Sequence, residues 1–246
     1  MPWLAAAFFV TALLYASVGF GGGSTYAALL AVSGLDYRIL PLIALACNIV
    51  VVAGSTVRFA RAGVTPWRGA VIVTALAAPA ALLGGLTPIG EGPFFVLLGA
   101  SLLLTGATML LPVSETQAAE PTRLARFMPL AAAPLGYLAG LVGIGGGIFL
   151  APLLHLTRWR DARSIAATAS FFILVNSLFG LAGQLLKRGP DAFAGAIYES
   201  LPLLIAVAIG GQIGSLMALK LLPPRWIRWL TAALVILVGA RLLSGL

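Results

Sequence analysis

The amino-acid sequence predicts an all-α integral membrane protein built from two repeated halves, and composition, charge spacing and a duplicated glycine motif carry that prediction. Of 246 residues, 61% are hydrophobic and 9% are charged, where a soluble domain carries roughly 25% charge. The mean hydropathy is +1.06, which excludes a water-soluble fold, a disordered chain and a collagen-like one. The net charge of +8 comes from basic residues in short clusters between apolar runs. They never form the contiguous basic face that phosphate backbones require, so no nucleic-acid partner is expected and the bilayer is the partner instead. Cys47 stands alone and cannot form an internal disulfide. Met1-Pro2-Trp3 offers no basic leader for a removable signal peptide, and the apolar run after it is too long for one.

Between charges the uncharged runs are 1–35, 39–57, 69–90, 92–114, 127–157, 164–186, 200–219 and 229–240. Six match the ~20 residues an α-helix needs to cross ~30 Å of hydrocarbon, the last when extended back through Trp226 and Trp229. The first and fifth, at 35 and 31 residues, are too long for one crossing. Each holds a glycine cluster, Gly19-Phe20-Gly21-Gly22-Gly23 and Gly143-Ile144-Gly145-Gly146-Gly147, and each is expected to be a helix, a break and a second, shorter helix.

Val18 to Ser24 lies over Val142 to Ile148 at an offset of 142 − 18 = 124. Farther on the offset becomes 122, which pairs Asn48 with Ser170 and Ser55 with Ser177. The expected organisation is therefore half one at 1–112, a polar linker at 113–126 and half two at 127–246, each half with a glycine-broken helix or hairpin plus three transmembrane helices. If each broken segment crosses once, the basic residues divide 7 to 8 between the two sides. If each turns back, Arg58, Arg61, Arg68 and eight others share a side, an 11 to 4 division that the positive-inside rule favours. Three crossings per half would then make the halves inverted, as in many secondary transporters.

A glycine triplet inside a bilayer frees backbone groups that cost several kcal/mol each unless they face protein or water. The helices starting near Ser24 and Ile148 would turn bare N–H groups and a positive dipole end inward, an arrangement that attracts anions. Ser24 and Thr25 would add hydroxyl donors. Close helix packing through small residues is the structural alternative for these glycines. A dinucleotide-binding loop is not expected, because no strand precedes either cluster. On the next helix of each half, Asn48 and Ser55 are seven residues apart on one face, and Ser170, Ser177 and Gln184 repeat that spacing with Asn176 adjacent. They offer neutral donors and acceptors to a small oxyanion, or hydrogen bonds between helices. Arg58, one turn past Ser55, is the nearest basic group and is read with Arg61 and Arg68 as a helix-end anchor. His155, the one group in the long uncharged runs that titrates near neutral pH, is either an interfacial histidine or a proton-coupling residue.

Two copies of G-x-G-G-G, each followed by a short apolar helix, and the run Gly143-Ile-Gly-Gly-Gly-Ile-Phe-Leu-Ala-Pro-Leu-Leu154 with Pro152 resemble the TauE/SafE sulfite exporter permeases, also called toluene sulfonate uptake permeases. Half one departs from the pattern, with Ala28 where Pro152 stands in half two. The resemblance implies a transporter for small sulfur-containing anions in a bacterial cytoplasmic membrane. The binding region it implies comprises Gly21, Gly22, Gly23, Ser24, Thr25, Gly145, Gly146 and Gly147, lined by Asn48, Ser55, Ser170 and Ser177, with Asn176 beside them.

No nucleotide-binding loop is present to drive transport. Membrane potential expels an anion from a negative interior, worth about 2.3 kcal/mol per charge per 100 mV, so export is favoured and uptake would need a coupled cation. A membrane enzyme is disfavoured by one His, one Cys and no carboxylate pair or metal-ligand spacing, so no cofactor or metal is expected. A non-transporting scaffold subunit remains the third class, and the sequence leaves a homo-oligomer open.

Overall fold

The computed structural model describes residues 2–17, 19–110, 127–216 and 224–244; the expected linker at 113–126 lies outside the described residues. The first half comprises α1 (Pro2–Ser17), α2 (Gly23–Val32), α3 (Leu40–Arg61), α4 (Trp67–Leu86) and α5 (Glu91–Leu110). The second comprises α6 (Met128–Val142), α7 (Gly147–Leu156), α8 (Ala162–Arg188), α9 (Pro190–Glu199), α10 (Leu201–Leu216) and α11 (Pro224–Leu243). Among the described residues, α3, α4, α5 and α8 are both long and apolar enough to cross a membrane. Their outward faces carry exposed Val71, Ile72, Leu76, Leu83, Val96 and Leu104, as expected where the surrounding solvent is lipid.

Small residues let the helices approach backbone to backbone. Gly136 and Gly140 of α6 sit against Ala77 and Ala81 of α4, so these two helices run the same way. Helix α4 also runs parallel to α8, with Trp67 edge-on to Phe171 at 5.5 Å near one end and Gly85 against Gly180 near the other. Since α6 and α8 both run parallel to α4, the chain must double back between them, and α7 is the returning leg. In the first half Gly22 touches Thr11, and Tyr26 stacks on Phe8 at 4.8 Å, so α2 likewise runs back along α1.

The remaining seams follow the same small-residue logic. Gly210 and Gly214 of α10 meet Phe9 and Leu13 of α1 in parallel, whereas Gly99 of α5 meets Gly239 of α11 and Gly106 meets Ala232, an antiparallel crossing. Helices α3 and α8 are also antiparallel: Leu45 lies at Gly180, while Phe59 and Ser170 meet at Gly19. Asp161 caps α8 by accepting from the amides of Arg163 and Ser164, both at 3.0 Å, and from the Ser164 hydroxyl at 2.6 Å. Those bonds, the Ser164 hydroxyl's first, hold its carboxyl below the ordinary aspartate range.

Candidate functional site

Both breaks open and close on left-handed glycines, and the second has a further one at Gly145. Gly22 caps α2 with φ +80° and Gly146 caps α7 with φ +75°, while Gly19 at +83° and Gly143 at +82° open the two loops. Such angles are cheap for glycine and costly for other residues. Neither N-cap supplies a side-chain acceptor. The first helical bond of α2 runs from the Tyr26 amide to the Gly22 carbonyl at 3.0 Å, so the amides of Gly23, Ser24 and Thr25 come before it. In α7 the amides of Phe149 and Leu150 both bond Gly146.

The two breaks meet in the core around Asn48. A Cβ on Gly23 would overlap the Ile144 carbonyl and the Asn48 amide, and Gly21 and Gly145 are pressed against the same asparagine. Fully buried Asn48 donates from Nδ2 to the Ile144 carbonyl at 3.2 Å, and its Oδ1 has no partner. Ser170 on α8 donates to the Gly19 carbonyl. Helix α3 therefore holds the loop before α7, and α8 holds the loop before α2. Ser177 lies beside Gly145 with an unpartnered hydroxyl.

A small cavity of about 10 Å³ lies at this junction, lined by Gly21, Gly22, Gly23, Ser24 and Asn48 and walled by Tyr15, Phe20, Ile144, Ile148 and Ile173. That is room for about one water molecule. No formally charged side chain lines it. Its polarity comes from the buried Ser24 hydroxyl, which has no partner, from Asn48, and from backbone groups including the amide end of the α2 dipole.

Of the residues singled out in the sequence, Gly21 to Ser24 and Asn48 line this cavity. The others sit elsewhere. The Thr25 hydroxyl is engaged with the Tyr15 hydroxyl at 2.9 Å. Gly146 and Gly147 are packed on Phe172 and Ile173. Ser55 is buried with an unpartnered hydroxyl but does not line the cavity. Asn176 donates to the Phe172 carbonyl of its own helix at 2.9 Å and keeps a buried, unpartnered Oδ1. His155 is half-buried in the last turn of α7, away from the lining. Sequence reasoning missed the walls. Tyr15 precedes the first break by one turn, and Phe20 and Ile144 interrupt the two glycine clusters at equivalent places; being apolar or aromatic in an apolar chain, they gave no signal. Among the described residues no group of three His, Cys, Asp or Glu could hold a metal ion.

Helices of membrane-spanning length, with two glycine-broken segments meeting at a buried polar junction, define a multi-pass membrane protein. The family model for the sulfite exporter TauE/SafE matches residues 4–242. A probable membrane transporter protein of Sinorhizobium fredii is 36% identical over 246 residues, covering 98% of this chain and 97% of the relative. A probable membrane transporter protein of Methanocaldococcus jannaschii is 27% identical over 107 residues, 42% of this chain and 40% of the relative. No solved structure matches. The chain belongs to the sulfite exporter TauE/SafE family, and so to the membrane transporters.

Proposed function

We propose that the protein is a secondary carrier that exports a small sulfur-containing anion, such as sulfite or a sulfonate, across the bacterial cytoplasmic membrane by alternating access. The observation that carries this reading is the meeting of both glycine breaks at Asn48, where uncapped amides of α2 and the unpartnered Ser24 hydroxyl border a cavity. Helix-end amides attract oxyanions and cost no formal charge in the bilayer. On this reading the cavity, at about 10 Å³, must widen to admit an anion, and transport requires α3 or α8 to part from the break it clamps. Gly145 to Gly147, Ser55, Ser170, Asn176 and Ser177 belong to this moving junction.

We further propose that the halves are inverted repeats with re-entrant breaks, and that both termini lie outside the cell. Supporting this, α2 and α7 are each ten residues long with matching left-handed caps. Exchanging α1 with α6, α2 with α7, α3 with α8, α4 with α10 and α5 with α11 turns the seam α1·α10 into α6·α4, and α3·α10 into α8·α4. The same exchange leaves the antiparallel pairs α3·α8 and α5·α11 as they are. Cysteine accessibility at the termini tests the topology, and a cytoplasmic N-terminus would refute it.

Flux of labelled sulfite and sulfonates in proteoliposomes, with and without a proton gradient, tests the carrier. Gly22→Leu and Gly146→Leu should insert but lose flux. Flux of no anion under any gradient would refute the carrier. A flux that depends on an inward proton gradient would instead favour coupled uptake.

A further inference from the structure

The end of α3 holds a cation that its role as a helix-end anchor does not explain. The Arg58 side chain folds back over Gly54 of its own helix, where only the lack of a side chain leaves room: a Cβ there would fall 2.8 Å from Nη2. The same Cβ would be 3.2 Å from the Gln212 amide nitrogen, so the guanidinium and the Gln212 amide share the α3–α10 seam. Both Nε and Nη2 of Arg58 are shielded and have no hydrogen-bond partner. Gln212 is an exposed amide on a helix whose other exposed side chains include Ile205, Ile209, Ile213 and Leu216, and lipid alone does not satisfy an amide.

We propose that Arg58 and Gln212 form a second oxyanion site, which recruits the anion at the α3 C-terminal face before it reaches Asn48. Swung off Gly54, the planar guanidinium can present two N–H donors to two oxygens of a sulfite or sulfonate, a match that a lysine does not make. Ten residues of helix put this site about 15 Å from Asn48 along α3. Phe59, the next residue, rests on Gly19 at the mouth of the first break. The position matching Arg58 at the offset of 58 + 122 = 180 is Gly180, so α8 does not repeat the cation at that position. The hand-over step rests on the carrier reading above; the recruiting site itself does not.

The test uses the full chain in nanodiscs of zwitterionic phosphatidylcholine and in proteoliposomes. Sulfite and methanesulfonate should raise the thermal midpoint of the wild type, and Arg58→Gln and Gln212→Leu should each reduce that response. In flux assays Arg58→Gln should raise the half-saturating concentration about tenfold or more and lower maximal flux by less than that, with Arg58→Lys in between. A wild type whose midpoint neither anion moves, or an Arg58→Gln protein with wild-type response and half-saturation, overturns the site. A loss in Arg58→Gln confined to discs containing phosphatidylglycerol also overturns it, because the occupant would then be a lipid headgroup. Should the wild type bind sulfite through Arg58 yet move no anion, the recruiting site stands and the carrier reading fails.

Discussion

Replacing Gly145 by alanine separates the conformational role of the break from its packing role. Gly145 has φ +82°, and its Cβ would fall 2.7 Å from Asn48 Nδ2, 3.1 Å from Ile173 and 3.2 Å from the Ser177 hydroxyl. Gly34, in the turn after α2, has a similar φ of +75° and nothing within 4 Å. Gly34→Ala therefore costs only the left-handed penalty, about 1–2 kcal/mol. Gly145→Ala carries that penalty and also overpacks a closed core, which adds about 1–3 kcal/mol. Together they come to about 2–5 kcal/mol, and the displaced Asn48 loses its 3.2 Å bond to Ile144. Unfolding in nanodiscs should rank wild type, Gly34→Ala and Gly145→Ala in falling stability. Anion flux should survive the first substitution and drop at least about tenfold with the second, since 1.4 kcal/mol against the intact junction is already a factor of ten. The double variant Gly145→Ala/Asn48→Ala should recover part of the stability, because the nearest overlapping atom is gone. Equal stability of the two single variants, with wild-type flux in both, would refute the account of the junction.

Three further outcomes follow from the same geometry. Ser170→Ala removes the donor to Gly19 and should destabilise by about 1–3 kcal/mol, whereas Ser177→Ala, whose hydroxyl has no partner, should stay within about 0.5 kcal/mol and lose flux if that hydroxyl meets substrate; comparing melting and flux for the two variants checks both halves of the statement. Asn48→Leu leaves the Ile144 carbonyl unpaired in the core and should abolish flux in protein that still reaches the membrane, as read by quantitative blotting and transport. Asp161→Ala should cost about 0.5–2 kcal/mol at neutral pH. Because the folded carboxyl titrates below its ordinary value, this contribution is present above about pH 4 and fades as pH falls through the lowered value, so unfolding curves of variant and wild type should converge in acid.

How much of this was legible in the sequence depends on the range of the interaction. Helix starts and breaks are local. Uncharged runs bounded by Arg38 and Arg58, or by Arg163 and Lys187, locate α3 and α8, and the glycine clusters locate the starts of α2 and α7 at Gly23 and Gly147 to within a residue. Charge is a poor boundary where it caps rather than ends a helix: Glu91 opens α5 from within its first turn and Arg68 lies inside α4. Helix α9 was missed because Gly189-Pro190 and Asp191 look like a loop, although proline is well suited to a first helical turn.

The site was legible only in its polar half. Asn48 and Ser170 could be paired by offset, but not what each one holds. That Asn48 reaches the Ile144 carbonyl, 96 residues away, follows from the two breaks meeting in the core, which no spacing within a helix encodes. The hydrogen bonds that the sequence offered as an alternative to ligand contacts turn out to engage the same groups: Asn48 both ties the halves together and lines the cavity. A ligand entering there must compete for that amide, so binding loosens the clamp it replaces, and a carrier needs that coupling between occupancy and rearrangement.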